Sequence, residues 1–211
     1  MGNKIFTIGR QFGSGGKEIG EKLAERLGVK LYDKELLQHA AKDSGFCEEI
    51  FVNHDEKPTS SFLYSLVMDT YSLNNYAAAP FLDMPLNHKV FLAQFDTIKK
   101  IAAQESCVIV GRCADYALAD NPDCLNIFIH ASIDQRVKRV CKRGNLTENK
   151  ARDLILKNDK QRSSYYNYYT SKKWGDCTSY DLILDSGKIG IDGCVDMILR
   201  CRDIMDAKKI K

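Results

Sequence analysis

An α/β fold, a five-stranded parallel sheet with helices on both faces, is predicted by three observations. Short apolar runs alternate with longer amphipathic stretches, the pattern of parallel strands joined through helices. A glycine-rich turn at 13–16 leaves the first apolar run and opens a segment of helical periodicity. The 211 residues, 44% of them hydrophobic, suffice for one domain with a sizeable core.

The elements follow in order. Residues 4–8 read as the first strand. Ile19, Leu23 and Leu27 recur at four-residue spacing, so a helix is expected over about 17–27, stopped by Gly28. Residues 29–32 form a short second strand, and a helix then runs from Asp33 through Leu36, Leu37 and Ala40 to Ser44-Gly45. Residues 46–86 carry Pro58, Pro80 and Pro85, a hydroxyl cluster at 59–61 and an aromatic patch over 64–81. They are read as a partly helical insertion or flap. A helix over 88–104 precedes the clearest interior strand, 107–110, and a strand over 125–129 leads to a helix from 133 to about 143. Thr147 is a candidate N-cap for a long helix. A tyrosine-rich stretch, a last strand over 181–184 and a closing helix over about 191–205 complete the domain.

Composition narrows the function. The net charge of +3 is small and the basic clusters are short, so neither nucleic acid nor a membrane surface is an expected partner. No apolar stretch approaches the ~20 residues that cross a bilayer, and no leader is expected at the N-terminus. The eight cysteines include no C-x-x-C pair and several lie in apolar runs. Buried reduced thiols, and with them a cytoplasmic location, are expected in preference to a disulfide or metal framework.

The segment Ile8-Gly9-Arg10-Gln11-Phe12-Gly13-Ser14-Gly15-Gly16-Lys17-Glu18 carries the chemistry. It lies between a strand and a helix, where unpaired N–H groups and the helix dipole attract anions. Gly13, Gly15 and Gly16 let the backbone approach a polyphosphate, and Lys17 adds a cation. A dinucleotide motif starting at Gly13 would need glycine where Glu18 stands. The match to G-x-x-x-x-G-K-[ST] is imperfect. With Gly16-Lys17 as its G-K pair, the first glycine falls on Gln11 and the hydroxyl position on Glu18. With Gly13-Ser14-Gly15 aligned to the G-S-G of nucleoside-monophosphate kinases, the lysine position holds Gly16 and Lys17 is displaced by one. Either way the hydroxyl that holds magnesium is missing.

Together with Leu31-Tyr32-Asp33-Lys34-Glu35-Leu36, Val108-Ile109-Val110-Gly111-Arg112-Cys113-Ala114-Asp115 and Ile127-Phe128-Ile129-His130-Ala131-Ser132, this loop resembles the cytidylate kinase-like family. The resemblance covers most of the chain outside 46–86. It implies a three-layer P-loop kinase fold over 1–211, an acceptor-side insertion at 46–86 and a mobile lid at about 139–172. It also implies ATP as donor, magnesium, and a nucleoside-monophosphate acceptor such as CMP or dCMP. A kinase for another small molecule, or a regulatory module that binds ATP without transfer, are the alternatives. The donor phosphates would lie on Gly13, Ser14, Gly15, Gly16, Lys17 and Glu18, and small nucleotides would be the partners.

Further residues can be assigned roles. Arg112, just past the end of a buried strand, either grips an acceptor phosphate or pairs with Asp115 or a helix end. Asp33 orients an acceptor hydroxyl, organises magnesium through water, or caps the helix that follows. Arg139, Arg143 and Arg162 are candidates to neutralise the moving phosphoryl group when a lid closes. Arg136 shares a helix face with Arg139 and Arg143 and is the weaker candidate. Tyr165, Tyr166, Tyr168 and Tyr169 are read first as packing and only second as a base-stacking surface. Lys188, after the last strand, is a minor candidate beside the donor base.

Overall fold

A computed structural model of the chain describes residues 3–45, 49, 50, 52, 56 and 85–209. The expected insertion over 46–86 lies outside the described residues except at 49, 50, 52, 56, 85 and 86. Five strands form one parallel sheet: β1 (Ile5–Arg10), β2 (Lys30–Tyr32), β3 (Cys107–Val110), β4 (Cys124–His130) and β5 (Leu182–Asp185), in the order β2-β3-β1-β4-β5. The described helices are α1 (Gly16–Leu27), α2 (Glu35–Ser44), α3 (Leu86–Gln104), α4 (Ala114–Ala117), α5 (Ile133–Gly144), α6 (Glu148–Thr170) and α7 (Ser186–Lys209).

Strands buried on both faces read as continuous apolar runs, and β3 (Cys-Val-Ile-Val) is fully buried for that reason. On one face Phe6, Ile8, Val108, Val110, Ile127 and Ile129 pack against Ile19 and Leu23 of α1 and Cys194, Val195 and Ile198 of α7. On the other, Ile5, Cys107 and Ile109 meet Leu36 of α2, Ile98 and Ile101 of α3, and Ala114 and Ala117 of α4. Each fully buried large side chain contributes about 1.5–3 kcal/mol. The three-layer fold is therefore the expected one.

Several element boundaries differ from the sequence reading. β1 runs past residue 8 because its pairing with β4 continues to Arg10 opposite Ile129, so Arg10 leaves the sheet from its edge of ligand-binding loops. The residues from 148 to 170 form one helix that absorbs the tyrosine run, and Thr147 is its N-cap without a side-chain capping bond. The closing helix begins at Ser186 and is broken at Gly190, which has φ 74° and joins two helical pieces. The tyrosines pack as expected: Tyr165, Tyr166 and Tyr169 are buried with Phe91, and the Phe91 and Tyr169 rings stack at 4.1 Å. This ties α6 to α3. None of the described cysteines is in a disulfide, and four of them are buried. No described helix is long and apolar enough to cross a membrane.

Candidate functional site

The glycine loop joins β1 to α1. Gly13 (φ 78°) and Gly15 (φ 85°) hold left-handed conformations that an L side chain adopts at a cost. Gly15 is the N-cap of α1, so the helix opens directly off the turn, and its first amides have no carbonyl within the helix to bond. The Ser186 hydroxyl donates to the Ser14 carbonyl oxygen at 2.5 Å, and Arg139 donates to the Gly13 carbonyl oxygen at 3.0 Å. The Phe12 N–H donates to Asp159 at 2.7 Å, and Asp159 is in turn held by Arg136 at 2.5 Å. These bonds fix the loop before any ligand arrives.

Beside the loop lies a cleft of about 480 Å³. Gly13, Gly15, Gly16, Lys17, Glu18, Asp33, Arg112, Arg139, Arg143 and Arg162 all line it. Its walls carry seven basic and three acidic side chains, a balance that concentrates anions. Ser14 is turned away: it is fully buried, and its hydroxyl donates to the Gln11 carbonyl oxygen at 2.9 Å. Arg136 also stays out of the cleft, since Asp159 and the Phe12 carbonyl oxygen occupy its guanidinium. Lys188 lies in the first piece of α7, outside the cleft lining.

Asp33 immediately precedes the N-cap of α2. The N-cap of α2 is Lys34, while the Asp33 carboxylate pairs with Arg112 at 3.2 Å and Lys17 at 3.0 Å. Burial alone would raise its carboxyl, but Arg112, Lys17 and Arg10 outweigh burial and hold it below the ordinary value of 3.8. Arg112 therefore pairs with Asp33 rather than Asp115, and its side chain is 2% exposed. The turn carrying it is strained: Gly111, Arg112 and Cys113 all have positive φ, two of them without glycine's freedom. Asp115 instead accepts from the Tyr166 hydroxyl at 2.7 Å, and burial raises its carboxyl.

Two residues that the sequence reading passed over complete the site. Arg10, from the end of β1, and Glu56 meet at 2.9 Å. The other Glu56 oxygen accepts from Arg162 Nε at 3.3 Å, and the Arg112 amide reaches the first at 3.4 Å. Burial would push the Glu56 carboxyl up, yet Arg10, Arg162 and Arg112 together hold it far below the carboxylate range. Arg162 is pulled down to about 10, by burial first and Arg10 second, and remains a cation at neutral pH. Two guanidiniums and the Arg112 backbone amide thus converge on one carboxylate. Glu56 lies in a stretch without periodicity, so no sequence signal marked it; Arg10 had one, its place where the aligned motif has a glycine.

For magnesium, the described residues offer no cluster of three or more His, Cys, Asp or Glu. Asp33 and Glu18 do line the cleft next to the loop. That fits a metal carried in on substrate phosphates and held by one or two carboxylates through water, the usual habit of Mg²⁺.

Comparison with known proteins agrees with this architecture. The chain is 27% identical over 204 residues to a cytidylate kinase of Pyrococcus furiosus, covering 96% of this chain and 90% of that one. It is 26% identical over 211 residues to the cytidylate kinase of Archaeoglobus fulgidus, covering 98% and 97%. An uncharacterized protein from Eubacterium ventriosum superposes with a TM-score of 0.72 at 34% identity, over 95% of this chain and 99% of that one. The shikimate kinase of Bacteroides thetaiotaomicron shares the fold, with a TM-score of 0.53 at 13% identity over 95% and 98%. Residues 5–188 match a single family description, and on that match the chain belongs to the cytidylate kinase-like family.

Proposed function

We propose that the protein transfers the γ-phosphoryl group of ATP to a nucleoside monophosphate, CMP or dCMP. One observation carries the reading. The guanidiniums of Arg10 and Arg162 and the backbone amide of Arg112 converge on a single carboxylate beside the glycine loop, an arrangement suited to phosphate oxygens. In transfer, an oxygen of the acceptor phosphate bonds to the γ-phosphorus while the bond from that phosphorus to the bridging oxygen of ADP breaks. That acceptor oxygen is already ionised, so the step requires no base. What the protein supplies is position and positive charge, because the moving group spreads its charge over three equatorial oxygens. Arg139, Arg143, Arg112 and Asp33 line one cleft; in this reading Arg139 and Arg143 serve the donor, and Arg112 and Asp33 the acceptor. Magnesium would neutralise the β- and γ-phosphates, with Asp33 and Glu18 holding its water shell.

The test is ADP formation from ATP and magnesium across a panel of nucleoside monophosphates, with a control lacking acceptor. Turnover dependent on CMP or dCMP is expected. Arg112→Ala should then cut kcat/KM for the acceptor by about 10²-fold or more, the loss that follows removal of a charge-stabilising donor. Turnover with no dependence on any nucleotide acceptor would overturn the reading.

A further inference from the structure

The loop lacks its usual lysine, and the structure assigns a replacement. Aligned on Gly13-Ser14-Gly15, the motif expects glycine at residue 10 and lysine at residue 16, whereas this chain carries Arg10 and Gly16. The two positions touch. A Cβ built on Gly16 would lie 2.5 Å from Arg10 Cβ and 3.0 Å from its Cγ, so the Arg10 side chain runs through the space a residue-16 side chain would need. Its Nη1 continues to Gly111, where a Cβ would lie only 2.0 Å away. Arg10 therefore spans from the phosphate loop to the turn that carries Arg112, and it lines the cleft between them.

We infer that Arg10 is the loop's phosphate-binding cation: its guanidinium contacts the terminal phosphates of the donor, as the lysine of an ordinary loop does. The missing lysine is thus an exchange between two touching positions. Lys17 does not fill that place, because its Nζ is drawn 3.0 Å from Asp33 on the acceptor side. In the absence of nucleotide Glu56 is the counter-ion of Arg10, at 2.9 Å, and phosphate oxygens would share or take over that contact. The inference rests on the reading of ATP as donor and is independent of the acceptor.

The experiment is calorimetric binding of ATP with magnesium, acceptor omitted, to the parent protein and four variants, each checked for fold by circular dichroism. Arg10→Ala should weaken ATP about ten- to a hundredfold, the cost of a lost hydrogen bond to a charged group. Arg10→Lys should recover part of the loss. Gly16→Lys alone should also bind poorly, because its side chain meets Arg10. The exchange variant Arg10→Gly/Gly16→Lys should regain most of the affinity by restoring the ordinary loop. Unchanged binding by a folded Arg10→Ala, or an exchange variant no better than Arg10→Ala, overturns the inference and leaves the kinase reading standing. A parent protein that binds no ATP overturns both.

Discussion

Glu56 is the residue whose removal should be most revealing. It faces Arg10 and Arg162 with its side chain only 14% exposed, so its charge is weakly screened by solvent. Glu56→Gln should cost the protein about 3–5 kcal/mol, the penalty for breaking a buried charge pair by removing one partner. Inorganic phosphate should then raise the melting temperature of the variant more than that of the parent. Equal shifts in the two proteins would place the carboxylate outside the anion site. That Lys17, Asp33 and Arg112 would come together on one cleft was legible, because each stands at a strand end or helix start on the same side of the sheet. The partners chosen by Asp33 were not, since one residue at a helix start can cap or pair, and only distances to Arg112 and Lys17 decide. Arg10 was legible only as a departure from the aligned motif. An arginine in a glycine loop gains meaning only when residue 16 is seen to make room for it.

Helix α1 is bounded by left-handed glycines that differ in what surrounds them. Beside the N-terminus, a Cβ on Gly13 would lie 2.8 Å from Val140 and 3.2 Å from the Arg136 carbonyl oxygen. At the C-terminus, Gly28 has φ 63°, and a Cβ built there would meet nothing within 4 Å among the described residues. Gly28→Ala should therefore cost only the left-handed penalty, about 1–2 kcal/mol, and leave ATP binding intact. Gly13→Ala should cost more and weaken ATP binding as well, because α5 must shift and carries Arg139 with it. Urea unfolding together with nucleotide titration distinguishes the two, and equal losses would show that crowding at Gly13 is relieved without moving the loop. The strands were largely legible because buried parallel strands are apolar without interruption, and β3 matched to the residue. Ends set by pairing were not. The last two residues of β1 are polar or glycine and join the sheet only because β4 continues alongside.

For the whole molecule, the pH dependence of stability should begin with His88. This imidazole is 1% exposed, its Nε2 lies 3.1 Å from the Tyr168 hydroxyl, and burial pushes its pKa from 6.5 down to about 4. The unfolded chain takes up that proton first, so stability should fall as pH drops from about 6.5 towards 4. Asp33 and Glu56 have lowered values, so their contributions are present at neutral pH and are lost only at more acid pH, below 3.8 and 4.5 respectively. Asp115 acts in the opposite sense, because burial raises it and protonation relieves a cost. Urea unfolding at stepped pH should show the first decline in the parent protein and its absence in His88→Gln; the same decline in both would exclude the histidine as its source.

Trp174 is the one tryptophan in the chain. Its ring stands edge-on to Phe128 at 5.2 Å, and it lines a cavity of about 20 Å³, room for one water, together with Arg10, Glu56, Arg112 and Arg162. Indole fluorescence from this protein is therefore a signal from a single place, a cavity that the clustered arginines also line. Ligand binding that alters solvation or charge around those guanidiniums should shift the indole emission, with no label attached.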